Sequence, residues 1–249
     1  MSQDLYNETH VIICRVLGRQ HNNPLEDTPW PLLERLIRSD RPQVLDVGCG
    51  RGASSLAWGR RGARVIGIDP SEAMIAEARR RQEADPQGLD VTFRIGQMED
   101  PSLQGPFDLI LVHDVLCYAP DRLAGLSRAL GLLGPGGILS LTDYHGNPGI
   151  PAVDAVSRAW GIGDPWPLFR WEAVLEDLEA RVLMLSDTTW RYRAHWSALI
   201  DRLEARRAEV ENQVGRPALE AFAAQAKAIL GAVDTGGFGH LWAVLERAP

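Results

Sequence analysis

Residues Gln43–Ser55 read Q-V-L-D-V-G-C-G-R-G-A-S-S. Val44–Val47 is a short, largely apolar run of the kind that forms a buried parallel strand. Gly48, Gly50 and Gly52 follow it, and Ala53–Trp58 is permissive for a helix. Strand, glycine turn and helix in that order make the first half of a βαβ nucleotide site. Having no Cβ, the glycines let the chain turn sharply and let a ligand approach closely. Arg64–Asp69, R-V-I-G-I-D, reads as a second strand. It ends in an acid about twenty positions after the first glycine, where a carboxylate can accept from both hydroxyls of a ribose. A lone G-x-G-x-G says little. Flanked by Asp46 and Asp69, it says a good deal.

The spacing narrows the nucleotide. A dinucleotide fingerprint needs G-x-G-x-x-G, and a phosphate-binding P-loop needs a Gly-Lys-Ser/Thr that is absent from this turn. The motif L-D-V-G-C-G-R-G over Leu45–Gly52 resembles the first motif of the class I S-adenosylmethionine-dependent methyltransferases. The likeness covers Gln43–Asp143 well and the C-terminal end more loosely. It implies an α/β, doubly wound Rossmann-like sheet of seven strands, the last antiparallel, with a mainly helical cap. It also implies S-adenosyl-L-methionine as cofactor, held by Asp46, Gly48, Cys49, Gly50, Asp69, Pro70, Met74, Gln97, Met98 and His113. Gln97 stands where the family often has an acid that accepts from the adenine amine. Its amide oxygen can accept as well, and Glu99 or Asp100 are the alternatives.

Composition bounds the rest. A chain of 249 residues, 45% hydrophobic and 24% charged, suits an ordinary globular protein with a full core. The net charge of −7 disfavours a general grip on nucleic acid. Cys14, Cys49 and Cys117 show no disulfide or metal-ligand spacing. No metal site is expected. M-S-Q-D-L-Y-N-E-T-H has no signal-peptide pattern, and no apolar run reaches membrane-spanning length. A soluble, cytoplasmic protein is expected, and its oligomeric state stays open.

The chain divides into residues 1–42, a helical preface that either lids the cofactor or packs on the sheet; 43–145, the cofactor core; 146–236, a cap with the sixth strand; and 237–249, the last strand. Within these, Leu5–Val16 reads as a helix with Tyr6 and His10 one turn apart. Ser71 caps a helix ending at Arg79–Arg81. Val91–Ile95, Phe107–His113 and Ile138–Thr142 read as strands. A helix from Asp121 to Leu133 lies between the last two. Trp171–Glu179 reads as helix, Arg181–Asp187 as strand, and Tyr192–Glu211 as one long amphipathic helix carrying Trp196, Leu199, Ile200 and Leu203 on its apolar stripe.

Displacement of a methyl group from a sulfonium needs alignment first, and a base only where the acceptor must lose a proton. That fits a sequence with a clear cofactor motif and no triad or paired-carboxylate signature. His113, Tyr144 and His145 are the candidate catalytic residues because they sit at carboxyl ends of strands, where doubly wound sheets bind ligands. Each also has a plain structural reading. Five of the eight tryptophans fall in the cap. Tyr144, His145, Trp166, Trp190 and Tyr192 are the expected wall of a small-molecule acceptor site, with an aromatic or cationic acceptor in view. The C-terminal half is loosely similar to N-methyltransferases of sarcosine and dimethylglycine, which favours an amine over a hydroxyl. The alternatives are a same-fold enzyme that uses the cofactor without methyl transfer, such as a cyclase, and a transfer-RNA wobble-uridine methyltransferase, which Gly239-His240 resembles.

Overall fold

The computed structural model describes residues 7–18 and 30–248. Leu5, Tyr6 and most of the expected loop His21–Pro31 therefore lie outside the described residues. In chain order the elements are α1 (Glu8–Val16), α2 (Trp30–Leu36), β1 (Gln43–Val47), α3 (Ala53–Arg60), β2 (Arg64–Asp69), α4 (Glu72–Glu83), β3 (Val91–Ile95) and β4 (Phe107–His113). There follow α5 (Arg122–Leu132), β5 (Leu133–Gly146), α6 (Pro151–Trp160), α7 (Leu168–Glu176), β6 (Ala180–Asp187), α8 (Thr189–Ala205), α9 (Arg207–Val214), α10 (Arg216–Asp234) and β7 (Phe238–Arg247). The seven strands form one sheet in the order β3-β2-β1-β4-β5-β7-β6. β7 runs antiparallel to both of its neighbours.

β1 lies at the sheet's centre, hydrogen-bonded to β2 on one side and β4 on the other. Burial on both faces explains its unbroken apolar run. Leu45 and Val47 face one layer, with α5 and α7 supplying Leu126, Ala129, Trp171 and Leu175. Val44 faces the opposite layer, where Leu33, Leu56, Trp58, Ile75 and Ala78 come from α2, α3 and α4. The helix starts follow local chemistry. Asn7, Ser71 and Asp121 each accept from a backbone N–H three residues on.

A third cluster sits beyond the carboxyl ends of the strands. It joins α1, α6, α8, α9 and α10 through Ile13, Val156, Trp160, Tyr192, Trp196, Leu199, Val210 and Phe222. The 1–42 stretch thus splits: α1 belongs to this cap, whereas α2 packs beneath the sheet, Trp30 meeting Trp58 edge-on at 5.9 Å.

Three expected boundaries move. The long helix expected over Tyr192–Glu211 breaks at Arg206, which leaves helical geometry while its guanidinium reaches the Val16 carbonyl and Glu209. The helix expected over Trp171–Glu179 starts and ends three residues earlier, because Ala180 already pairs with Arg247. β5 extends to Gly146, because β7 pairs with it as far as Gly146↔Phe238. Tyr144 and His145 are therefore inside a strand, and neighbours in a strand point to opposite faces.

Candidate active site

The glycine turn is left-handed at Gly48, Gly50 and Gly52. At Gly48 a side chain would also collide, since its Cβ would lie 2.4 Å from Val115 Cγ2. The turn and the segment after β4 therefore face each other across a narrow crevice. Asp69 braces the turn from the end of β2: Oδ2 accepts from Gly50 N–H and Oδ1 from Ser71 N–H, both at 2.9 Å. Burial raises its pKa, and those two bonds oppose the rise. Asp46 is buried beside it and accepts from Ser55 Oγ at 2.5 Å. Burial, against the Ser55 bonds and with help from the Asp69 charge, pushes Asp46 up to about 7.

That shift carries a pH prediction. Asp46 titrates near 7 when folded and near 3.8 as an unperturbed carboxyl, so between these values the folded chain binds more protons than the unfolded one. Its contribution to stability is fully present below 3.8 and lost as pH rises through about 7. Asp46→Asn, which keeps an oxygen for Ser55, is expected to lose less melting temperature than the parent between pH 5 and 7.5, the window in which carboxyls raised by burial titrate (~4–7). Parallel slopes in cofactor-free thermal melts would refute it.

A cavity of about 220 Å³ opens over these groups at the carboxyl ends of the strands. All ten residues expected to hold the cofactor, Asp46, Gly48, Cys49, Gly50, Asp69, Pro70, Met74, Gln97, Met98 and His113, line it. Glu99 lines it as well, beside Gln97. Asp100 instead turns its Oδ1 to Ser102 N–H. The far end is aromatic, walled by Tyr118, Tyr144, Trp160 and Trp196 with His10 from α1. Among the described residues no group of three or more His, Cys, Asp or Glu could hold a metal ion.

Asp114 stands between the two ends. Its backbone is left-handed, φ 58°, a conformation that Asp tolerates better than most residues. Its Oδ1 accepts from Thr142 Oγ1 at 2.8 Å and lies 2.9 Å from His240 Nε2. Burial works to raise its pKa, but the His240 charge and the bonds from His240 and Thr142 outweigh it and hold the carboxyl below its ordinary range. His113, one residue earlier, has Nε2 2.9 Å from Ser140 Oγ.

The other expected site residues are spread out. Tyr144 lines the aromatic end. His145 does not: its Nε2 lies 3.2 Å from Thr189 Oγ1 and 3.6 Å from Asp187 Oδ1. Gly239, opposite it, makes room, since a Cβ there would lie 2.4 Å from the His145 ring. Trp166 packs against Trp171 at 4.9 Å with Arg170 over its ring at 4.4 Å. Tyr192 is buried and stacks flat on His240 at 5.1 Å. Trp190, in the first turn of α8, is 66% exposed beneath Arg191. None of these three lines the cavity.

Sequence reasoning passed over Arg51, Tyr118, Trp160 and Trp196 as site residues, and it placed Asp114 beside His113 near the sulfonium without giving it a role. Arg51 is a buried cation within the glycine turn, on the cavity wall. A cation inside a ligand-binding turn was the available signal. Asp114 follows a strand's carboxyl end, the place where such sheets put chemistry. Trp196 sits on the apolar stripe of its helix and faces core and cavity together.

Comparison with known proteins agrees with this geometry. Residues 44–137 match the model of a family described as a methyltransferase domain. A ubiquinone biosynthesis O-methyltransferase of Nitrobacter winogradskyi is 34% identical over 121 residues, 47% of this chain and 46% of that one. One from Pseudomonas aeruginosa is 34% identical over 106 residues, 43% and 46%. The chain spans about half the length of the curated relatives it matches. Among solved structures, phosphoethanolamine N-methyltransferase 2 of Haemonchus contortus, in complex with S-adenosyl-L-methionine, superposes with TM-score 0.80 at 19% identity, over 96% of this chain and 56% of that one. The [4+2]-cyclase SpnF superposes with TM-score 0.79 at 21% identity, over 100% and 96%. A structure from Galdieria sulphuraria assigned as a sarcosine dimethylglycine methyltransferase gives 0.76 at 16%, over 89% and 82%. At these identities the superpositions establish the fold and nothing finer.

Proposed function

We propose that the protein, whose residues 44–137 match a methyltransferase-domain model, transfers a methyl group from S-adenosylmethionine to a small amine. The carrying observation is that the carboxylate of Asp114 and four aromatic rings share one cavity with the glycine turn and Asp69. The cofactor supplies a methyl on a sulfonium, whose departure needs no protonation. The residues present suit it. Asp69 offers a carboxylate to a ribose, the Cβ-free turn allows close approach, and Arg51 puts a cation near the turn for a carboxylate. At the far end, Tyr118, Tyr144, Trp160 and Trp196 exclude water and present π faces to a cation, while Asp114 offers the opposite charge. A hydroxyl acceptor is the second reading. Its support is the name of the curated relatives, which are O-methyltransferases.

Incubating the protein with S-adenosylmethionine and matched pairs of small amines and phenols, and measuring S-adenosylhomocysteine, decides between them. Turnover of amines is expected. Turnover confined to phenols would overturn the amine assignment and leave methyl transfer standing. An isomerised acceptor with no S-adenosylhomocysteine would point instead to a cyclase, and the transfer proposal would fall. On the best amine, Tyr144→Leu is expected to raise KM by ~2- to 30-fold, the worth of one cation–π contact of about 0.5–2 kcal/mol. S-adenosylhomocysteine affinity, followed by calorimetry, should stay unchanged. If that affinity falls and KM holds, Tyr144 faces the cofactor instead.

A further inference from the structure

His240 is fully buried in β7, opposite Tyr144 on β5. Its two ring nitrogens make unlike contacts. Nε2 lies 2.9 Å from Asp114 Oδ1, and Nδ1 lies 2.7 Å from Thr188 Oγ1. The same Thr188 hydroxyl is also placed to donate to the His240 backbone carbonyl at 3.1 Å. The ring is held in plane by Tyr192, stacked on it at an angle of 2°.

A hydrogen count limits the states this cluster can adopt. If Nδ1 carries the only ring proton, the lone pair of Nε2 opposes the carboxylate at 2.9 Å, which is repulsive. If the ring is neutral with its proton on Nε2, that proton goes to Asp114 and the Thr188 hydroxyl donates to Nδ1. If the ring is charged, Nδ1–H donates to Thr188 Oγ1 and the hydroxyl turns to the carbonyl. Rotation of one O–H therefore satisfies both allowed forms with no heavy atom moving. In both, Nε2–H stays on Asp114. Both contacts to Asp114 fall on Oδ1, leaving the lone pairs of Oδ2 for the cavity that Asp114 lines.

We propose that His240, backed by Thr188, is a positioning residue that fixes Asp114 as a carboxylate turned to the acceptor in either charge state of the imidazole. The proposal rests on the reading that Asp114 meets the acceptor. When the acceptor enters as an ammonium, its N–H bond breaks and the electron pair stays on nitrogen. The proton passes by way of Asp114 Oδ2 to solvent, because a carboxyl held below its ordinary range does not retain it, while Oδ1 keeps both of its bonds. The titratable groups around the pair are His113 beside Asp114, Cys117 in the segment after β4, Asp143, Tyr144 and His145 from β5, and Tyr192 from α8; Asp143, which burial pushes up to about 7, accepts from the backbone N–H of Cys117 and of Tyr144. His145 is turned away toward Thr189 and Asp187.

The test uses the full chain labelled with 15N-histidine and saturated with S-adenosylhomocysteine. The His240 signals are assigned by their loss in His240→Gln. Two-bond proton–nitrogen spectra should show Nε2 protonated from about pH 6 to 9, across the range in which an ordinary histidine titrates. Thr188→Val, which keeps the shape and removes the hydroxyl, should admit the other tautomer and shift the pH profile of kcat. It should also lower kcat roughly tenfold or more, a part of the ~10²- to 10⁴-fold that a positioned acid–base group contributes. Thr188→Ser should restore the parent values. A parent His240 with its proton on Nδ1 alone, or a Thr188→Val protein with tautomer and pH profile both unchanged, overturns the proposal. The spectra need no acceptor, so failure of the amine reading in the turnover panel leaves this result separately decidable.

Discussion

Asp69→Ala is expected to weaken S-adenosylmethionine binding by roughly 1.5–3 kcal/mol, about ten- to a hundredfold or somewhat more. Two causes act together. The carboxylate is the acidic group on the cavity wall at the end of β2, where a ribose diol would be gripped. It also accepts the N–H of Gly50 and of Ser71, so its loss frees the glycine turn and the residue that caps α4. Asp69→Asn separates the causes. Its single amide oxygen can still hold one backbone N–H, while the charge is gone, so an intermediate loss is expected. Titration with S-adenosylhomocysteine should show the same order, because both ligands carry the ribose. Unchanged affinity in a folded Asp69→Ala protein would sink the ribose assignment.

What the chain discloses in one dimension is what depends on near neighbours. β1, the three glycines and the Ser71 cap are written within a few residues of each other, and turn chemistry and burial suffice to read them. Tyr144 was legible as a strand-end residue but not as part of a longer β5, because the extension is dictated by β7, about a hundred residues on. The pairing of His240 with Asp114 spans 126 residues, and no local pattern marks it. Gly239-His240 stood out in the sequence for another reason, a likeness to wobble-uridine enzymes. The structure gives both residues local work: the glycine clears room for His145, and the histidine backs Asp114. Aromatic residues were the hardest to place. Trp160 and Trp196 meet edge-on at 5.4 Å and serve the cap's core and the cavity wall at once. A periodic stripe carries no mark to separate those two duties.

The tryptophans that pack with α7 on the sheet also give the largest stability effects. Trp171→Ala and Trp166→Ala should each lower stability by about 3–5 kcal/mol, the usual cost of emptying a large buried aromatic site. Trp171 is fully buried, and its Nε1 donates to the Tyr144 carbonyl at 3.1 Å. It therefore ties α7 to the strand that brings Tyr144 to the cavity. Trp166 fills the space between Trp171 and the Arg170 guanidinium, and its carbonyl accepts from Gly146 N–H at 3.0 Å. Trp190→Ala should stay within about 0.5 kcal/mol of the parent, as exposed positions do. Trp171→Phe refines the claim, because it keeps a ring and removes the N–H. It should cost about 0.5–1.5 kcal/mol from the lost bond, plus what the smaller ring leaves unfilled. Denaturant unfolding of the four variants measures all of this. A Trp190→Ala protein of parental stability that no longer turns over its acceptor would move the acceptor site to the exposed face of α8. Parental stability in Trp171→Ala would mean that this ring does not hold β5 in place.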